Sequence, residues 1–142
     1  MLMGTHEHRL DAKFRIVLPA KIREKLGDVV VAALGLEGCV SLYSEQEWNI
    51  FSEKIRNQPF YSNPRARKFQ RTILSSADRI VIDGTGRILL PLVLREYAGL
   101  ALDVVICGVS DHVEIWDKER WTVMWKSGLE DLSEMAEGME GL

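Results

Sequence analysis

Two short stretches place a carboxylate and a guanidinium at the same spacing: Asp11-Ala12-Lys13-Phe14-Arg15 and, 72 residues later, Asp83-Gly84-Thr85-Gly86-Arg87. In the second, an aspartate opens a glycine-rich turn and an arginine follows it, so the carboxylate can accept backbone N–H bonds from the turn. Asp11 and Asp83 therefore read as turn-stabilising residues. Each arginine either folds back on its own aspartate or projects its planar fork outward, toward phosphate or the O6/N7 edge of guanine. The residues alone leave both readings open. The first loop adds Lys13, with Arg9 just ahead of it, so one hairpin carries Arg9, Lys13 and Arg15, a candidate edge for tracking phosphates and reading bases. The second loop offers Arg87 and the hydroxyl of Thr85, and the first is expected to carry more of any DNA contact.

Other reactive side chains are sparse. His6, His8 and His112 are the candidates for acid–base or metal chemistry, and His6-x-His8 in a strand would put both imidazoles on one face. No third ligand has a fitting spacing, and no GxSxG, phosphate-binding loop or HExxH is present. The expectation is a protein that is not an enzyme, with no catalytic residues, metal, cofactor or small-molecule substrate. His112, beside Asp111, reads as a hydrogen-bonded structural residue. Cys39 and Cys107 lack a CxxC or a dense framework and read as reduced packing thiols.

The elements that carry these loops repeat. Leu10–Arg23 aligns with Ile82–Arg95, Asp28–Val31 with Asp103–Ile106, and Val40–Tyr43 with Val113–Trp116. In each copy a short aliphatic run, Arg15–Leu18 or Arg87–Leu90, is stopped by a proline that suits the first turn of a helix. The spacing predicts helices over Ala20–Leu26 and Leu92–Ala98, stopped by Gly27 and Gly99. Strands follow at Val29–Leu34 with Cys39–Tyr43, and at Val104–Val109 with His112–Trp116. Ser44 and Asp117 are plausible N-caps for helices over Glu45–Arg56 and Lys118–Lys126. Between the copies, Pro64–Leu74 reads as a helix rich in Arg65, Arg67, Lys68 and Arg71; its basic run is a solvated face or a surface for phosphate or an acidic neighbouring subunit.

The 142 residues, 46% of them apolar, suit one intertwined body, because each copy is too short to hold a core alone. No apolar run approaches the roughly 20 residues that span a bilayer, and Met1–Thr5 runs into polar residues, so neither a membrane segment nor a signal peptide is expected. The net charge of −3 argues against nucleic acid, yet the chain is polarised: residues 1–71 hold 12 basic and 8 acidic side chains, residues 72–142 hold 6 and 13. Part of the acidic excess lies in Ser127–Leu142, which has five carboxylates and no cation and reads as a solvated helix end or frayed tail.

Through both Asp-x-x-x-Arg loops and on to Asp111-His112-Val113-Glu114-Ile115-Trp116-Asp117, the sequence resembles the MraZ family of bacterial transcriptional regulators, tandem members of the AbrB-like swapped-hairpin group. The likeness covers nearly the whole chain. It implies an α+β fold, mainly β, with two tandem repeats forming one pseudo-symmetric β-barrel and peripheral helices. It places the first AbrB-like repeat at residues 5–48, connecting helices at 49–76, the second repeat at 77–120, and a C-terminal helix with an acidic tail at 121–142. It also implies a ring-shaped homo-oligomer on double-stranded DNA, in the cytoplasm at the nucleoid, bound to short direct repeats upstream of the division and cell-wall gene cluster. DNA-facing loops then fall on Lys13 and Arg15, with Arg87 as the second-copy equivalent. The family often has glycine or asparagine before the first arginine, where this chain has Phe14. A bulky residue is disfavoured at positive φ, so that loop is expected to take another turn geometry or to expose its ring. The competing expectation is an AbrB-like antitoxin or an oligomeric scaffold without strong DNA binding.

Overall fold

Proline sets where each copy turns from strand to helix. Pro19 and Pro91 sit at the N-caps of α1 (Ala20–Leu26) and α4 (Leu92–Ala98) with near-identical backbone angles, φ −56° and −54°. The strands just before them, β2 (Arg15–Val17) and β6 (Arg87–Leu89), are cut to three residues. Gly27 and Gly99 end the two helices at positive φ. The computed structural model describes every residue from Met1 to Leu142. Its remaining strands are β1 (Leu2–Arg9), β3 (Val29–Leu34), β4 (Val40–Ser44), β5 (Asp78–Val81), β7 (Asp103–Ser110) and β8 (His112–Asp117).

Side-chain caps start the longer helices. Ser44 accepts from the Glu47 N–H to open α2 (Glu45–Arg56), with acids in the first turn and bases in the last. Asn63 accepts from Arg65 and Ala66 to open α3 (Pro64–Ser76) behind Pro64. Asp117 accepts from Glu119 to open α5 (Lys118–Glu137). That last helix corrects one expectation, its end at Lys126, and gives the acidic segment the form of a solvated helix end. It runs on well past Lys126 and through Gly128, because Leu129–Glu137 are mostly good helix formers. Most of the acidic segment is accordingly helical.

Six strands form one antiparallel sheet in the order β1-β7-β8-β4-β3-β5. Exchanging each strand for its equivalent in the other copy reverses this order and returns the same sheet, so a pseudo-twofold axis passes between β4 and β8. The first strand of each copy does not pair within its own copy: β1 lies on β7 and β5 on β3. Strands β2 and β6 pair only with each other, as a separate two-stranded ribbon across the same axis. The expected closed barrel is not what forms, since β1 and β5 are opposite edges of an open sheet. Strand length is the local reason: β2 and β6 end at Val17 and Leu89, two residues ahead of Pro19 and Pro91, and three residues offer too little ladder to bridge two sheet edges. The fold is a mixed α+β one.

The ribbon closes the core from above. Ile16 and Ile88, directly paired on it, point inward with Leu18 and Leu90 onto one cluster of 18 buried residues drawn from both copies. The Leu18 N–H donates to the Gly86 carbonyl at 2.9 Å, tying the copies together beside it. Truncating Ile88 to alanine is expected to cost about 2–5 kcal/mol. Urea unfolding followed by tryptophan fluorescence and by circular dichroism should show one earlier transition with both probes; separate transitions for the two copies would contradict the shared core.

Candidate nucleic-acid interface

Each Asp-x-x-x-Arg turn is organised by its aspartate. The Oδ1 of Asp11 accepts from the Lys13 and Arg15 backbone N–H groups at 2.8 and 2.9 Å, and its Oδ2 accepts from Arg15 Nε at 2.8 Å. In the second copy, Asp83 Oδ1 accepts from the Thr85 and Arg87 N–H groups and from the Thr85 hydroxyl, each at 2.9 Å, and Oδ2 accepts from Arg87 Nε at 2.9 Å. These donors hold both carboxyls below the ordinary carboxylate range, the Arg15 and Arg87 backbone N–H groups contributing most. The arginines therefore do fold back on their aspartates, but through Nε alone. The Nη amines make no hydrogen bond within the chain and remain available as a fork.

The ribbon register puts these forks on one surface. Arg15 lies opposite Leu89 and Val17 opposite Arg87, so with Ile16 and Ile88 facing the core, the four flanking residues share the outer face. Val17 and Leu89 are exposed there. The first turn leaves the ribbon at the end where α4 begins, and the second at the end where α1 begins. Each turn thus meets the helix of the other copy. The Arg95 guanidinium sits 4.7 Å from the Phe14 ring centroid, and the equivalent Arg23 packs so closely on Gly86 that an added Cβ would lie 2.6 Å from its Cζ. Both arginines are held by their own Nε, donated to the carbonyls of Leu18 and Leu90 at 3.1 Å. Arg23 and Arg95 are candidate cations that sequence reasoning missed. Their matched positions in the repeat were a signal, but nothing local says that each crosses to the opposite turn.

Phe14 keeps the turn rather than changing it. Its φ is +61°, against +82° at the equivalent Gly86, so the expectation of another turn geometry is corrected while the ring does lie exposed. The left-handed backbone costs about 1–2 kcal/mol for a residue with a side chain, and the contact with Arg95 offsets about 0.5–1 kcal/mol of it. Arg9 is placed differently from the others. It lies on β1 in register with Asp103 and is ion-paired to it at 3.2 Å, at the edge of the six-stranded sheet.

The remaining titratable groups lie elsewhere. His6 and His8 stand on β1, where burial and the neighbouring His6 lower the His8 pKa, and no group of three or more metal-binding side chains gathers around them. His112 bridges Asp111 at 2.6 Å and Glu114 at 3.1 Å, and its ring stacks on Tyr43. Glu114 also accepts from Trp116 Nε1 at 3.0 Å. Cys39 and Cys107 are buried beside this cluster as free thiols, and burial pushes Cys107 up to about 12 and Cys39 further, which disfavours the thiolate form.

Comparison with known proteins agrees with the repeat. A family model described as "MraZ protein, putative antitoxin-like" matches twice, at residues 1–72 and 73–139. The chain is 42% identical over 142 residues to the transcriptional regulator MraZ of Syntrophomonas wolfei, covering 100% of this chain and 99% of that protein. It is 43% identical over 137 residues to the protein of that name from Heliobacterium modesticaldum, covering 96% and 95%. Against that from Natranaerobius thermophilus it is 49% identical over 121 residues, 85% and 84% of the two chains.

Two outcomes are expected of these groups. Asp83→Asn removes the charge that holds the second turn, so hydrogen exchange at the Thr85 and Arg87 amides should speed up with the Ala98 and Val104 amides unchanged. The His112 pKa is raised, chiefly by Glu114, so the stability it contributes is present in full below about pH 6.5 and is lost as pH rises through the higher folded value. Urea midpoints of the wild type and His112→Gln should therefore differ most below pH 6.5 and converge above it. A gap that widens with pH would contradict this.

Proposed function

The chain belongs to the MraZ family, and from that premise we propose that it is a sequence-specific DNA-binding transcriptional regulator that uses the β2–β6 ribbon as its reading surface. The observation that carries this is the pair of arginines, Arg15 and Arg87, each clamped at Nε with its Nη amines making no hydrogen bond within the chain. Clamping removes rotamer freedom before binding, so less entropy is lost per contact formed. A two-stranded ribbon fits the major groove, where guanine presents O6 and N7 to such a fork. Lys13 on the first turn, with Arg23 and Arg95 at the two ends of the ribbon, would neutralise flanking phosphates. Arg9 joins them only if it leaves Asp103, which makes it the weakest of the expected contacts.

Phosphate contact by a chain of net charge −3 calls for several copies acting together. In this reading the copies form a ring-shaped homo-oligomer, and each presents one ribbon to one of the direct repeats of a promoter, in keeping with the division and cell-wall gene cluster that the family resemblance implies. Avidity over repeated sites then supplies what one subunit lacks. Work at the nucleoid in the cytoplasm follows from the same role, and no helix of the chain is long and apolar enough to cross a membrane.

Binding to duplexes carrying one or several repeat boxes tests this. Log affinity should fall linearly with log salt, with a slope of about −0.9 for each phosphate contacted. Arg15→Ala and Arg87→Ala should each weaken binding by about 1–3 kcal/mol and relax base preference, whereas Lys13→Ala should weaken all sequences alike and flatten the salt slope. Equal affinity for one box and for several would sink the avidity argument. Salt-independent, Arg15-insensitive behaviour would favour the antitoxin or scaffold reading instead.

A further inference from the structure

Helix α5 is long, amphipathic and almost unsupported. Twenty residues at 1.5 Å rise make it about 30 Å long, yet none of its residues is buried. Its contacts run to β7 and β8, where Trp121 and Met124 pack on the small cluster of Cys39, Val105, Cys107 and Trp116. Further along, Trp125, Leu129, Leu132 and Met135 recur at helical spacing and are all exposed. Around them stand Glu130, Asp131, Glu134 and Glu137, with no cation after Lys126. A helix half of this kind is marginal in water without something against its apolar face.

The chain carries a surface of opposite character. Between α3 and the end of β3 lies a cleft whose lining includes the apolar Leu34, Leu36, Phe69 and Tyr97 together with Arg65 and Lys68. Leu36, Phe69 and Tyr97 are exposed. The other two bases of α3 are occupied locally: Arg67 donates to the carbonyls of Phe60 and Tyr61, and Arg71 lies over the Phe60 ring. Arg65 and Lys68 have no ion pair, and neither has any acid of α5 beyond Lys126.

We infer that the distal half of α5 docks in the α3 cleft of a second copy of this chain, its apolar stripe on the Leu36–Phe69–Tyr97 lining and its acids against Arg65 and Lys68. Charge selects this partner among the faces on hand. Pairing α5 with another α5 would bring eight carboxylates together, and pairing two clefts would oppose their bases, whereas α5 on α3 sets acids against bases and one exposed apolar surface against another. Donor and acceptor are different patches, so the contact is head-to-tail and either closes a ring or propagates. The inference rests on the reading that copies of the chain associate, and it names the surfaces by which they do.

Sedimentation equilibrium of the full chain, with binding to a single-box duplex measured in parallel, tests it. The variants are E130K/E134K, R65E/K68E, all four changes together, and Leu132→Ser; every altered side chain is exposed or half-buried, and circular dichroism should match the wild type. Each double variant and Leu132→Ser should raise the subunit dissociation constant by about 10-fold or more, and the four-fold variant should return it to within about 3-fold of wild type. Wild-type mass in both double variants would overturn the inference while leaving association intact. So would tighter association of E130K/E134K alone, which marks α5 self-pairing, or R65E/K68E losing single-box affinity at unchanged mass, which marks α3 as a phosphate surface. A wild type that stays monomeric would sink the association reading and the inference with it.

Discussion

The constraint on which everything else depends is that neither copy of the repeat can bury its own apolar face. Each has a first strand that finds its ladder only in the other copy, β1 on β7 and β5 on β3, and a three-residue strand whose one partner is its equivalent. The Ile16–Ile88 pair stands where these exchanges meet, and the buried cluster beneath it is shared. Small modules cannot set enough apolar area against the entropy of ordering their chains, and exchange doubles the core available to both. The cost is that every surface feature near the axis is composite.

The candidate interface inherits that composite character. One end of the ribbon joins the first turn to Arg95 and the other joins the second turn to Arg23, so each basic cluster is built from both copies. Within it, the aspartates take the Nε and backbone donors and leave the Nη amines, a division that fixes direction without using up the guanidinium. A carboxylate beside each arginine lowers the local positive potential, yet it also defines the geometry that a free side chain would lose to rotamer entropy. The copies diverge within this frame. Phe14 and Lys13 give the first turn an aromatic ring and an extra cation, while Gly86 lets Arg23 approach the second turn closely.

The net acidity of the chain, which first argues against nucleic acid, is a matter of where the charges stand. Four acids with no cation among them lie on the distal half of α5, away from the ribbon strands in sequence and without an ion pair, while bases of the first half populate the turn, α1 and α3. A chain divided in this way has faces that repel their own kind and attract each other. Electrostatics can thereby favour assembly and leave the ribbon face basic.

Much of the fold was legible along the chain. The prolines, the glycines after α1 and α4, and the caps Ser44 and Asp117 act through local sterics and hydrogen bonds, so α1, α2, α4, β3 and the start of α5 fall where the spacing predicts. The repeated Asp-x-x-x-Arg spacing likewise marked the two turns. Long-range matters were not legible. The far end of α5 continued through Gly128 because nothing local stops it strongly, and the sheet stayed open because β2 and β6 are too short to close it. Which copy each strand pairs with, and therefore that Arg23 and Arg95 cross to the opposite turns while Arg9 goes to Asp103, was decided only in three dimensions. Turns and caps are settled by neighbours a few residues away, whereas strand partners are settled by which arrangement buries the most apolar surface, a property of the whole chain.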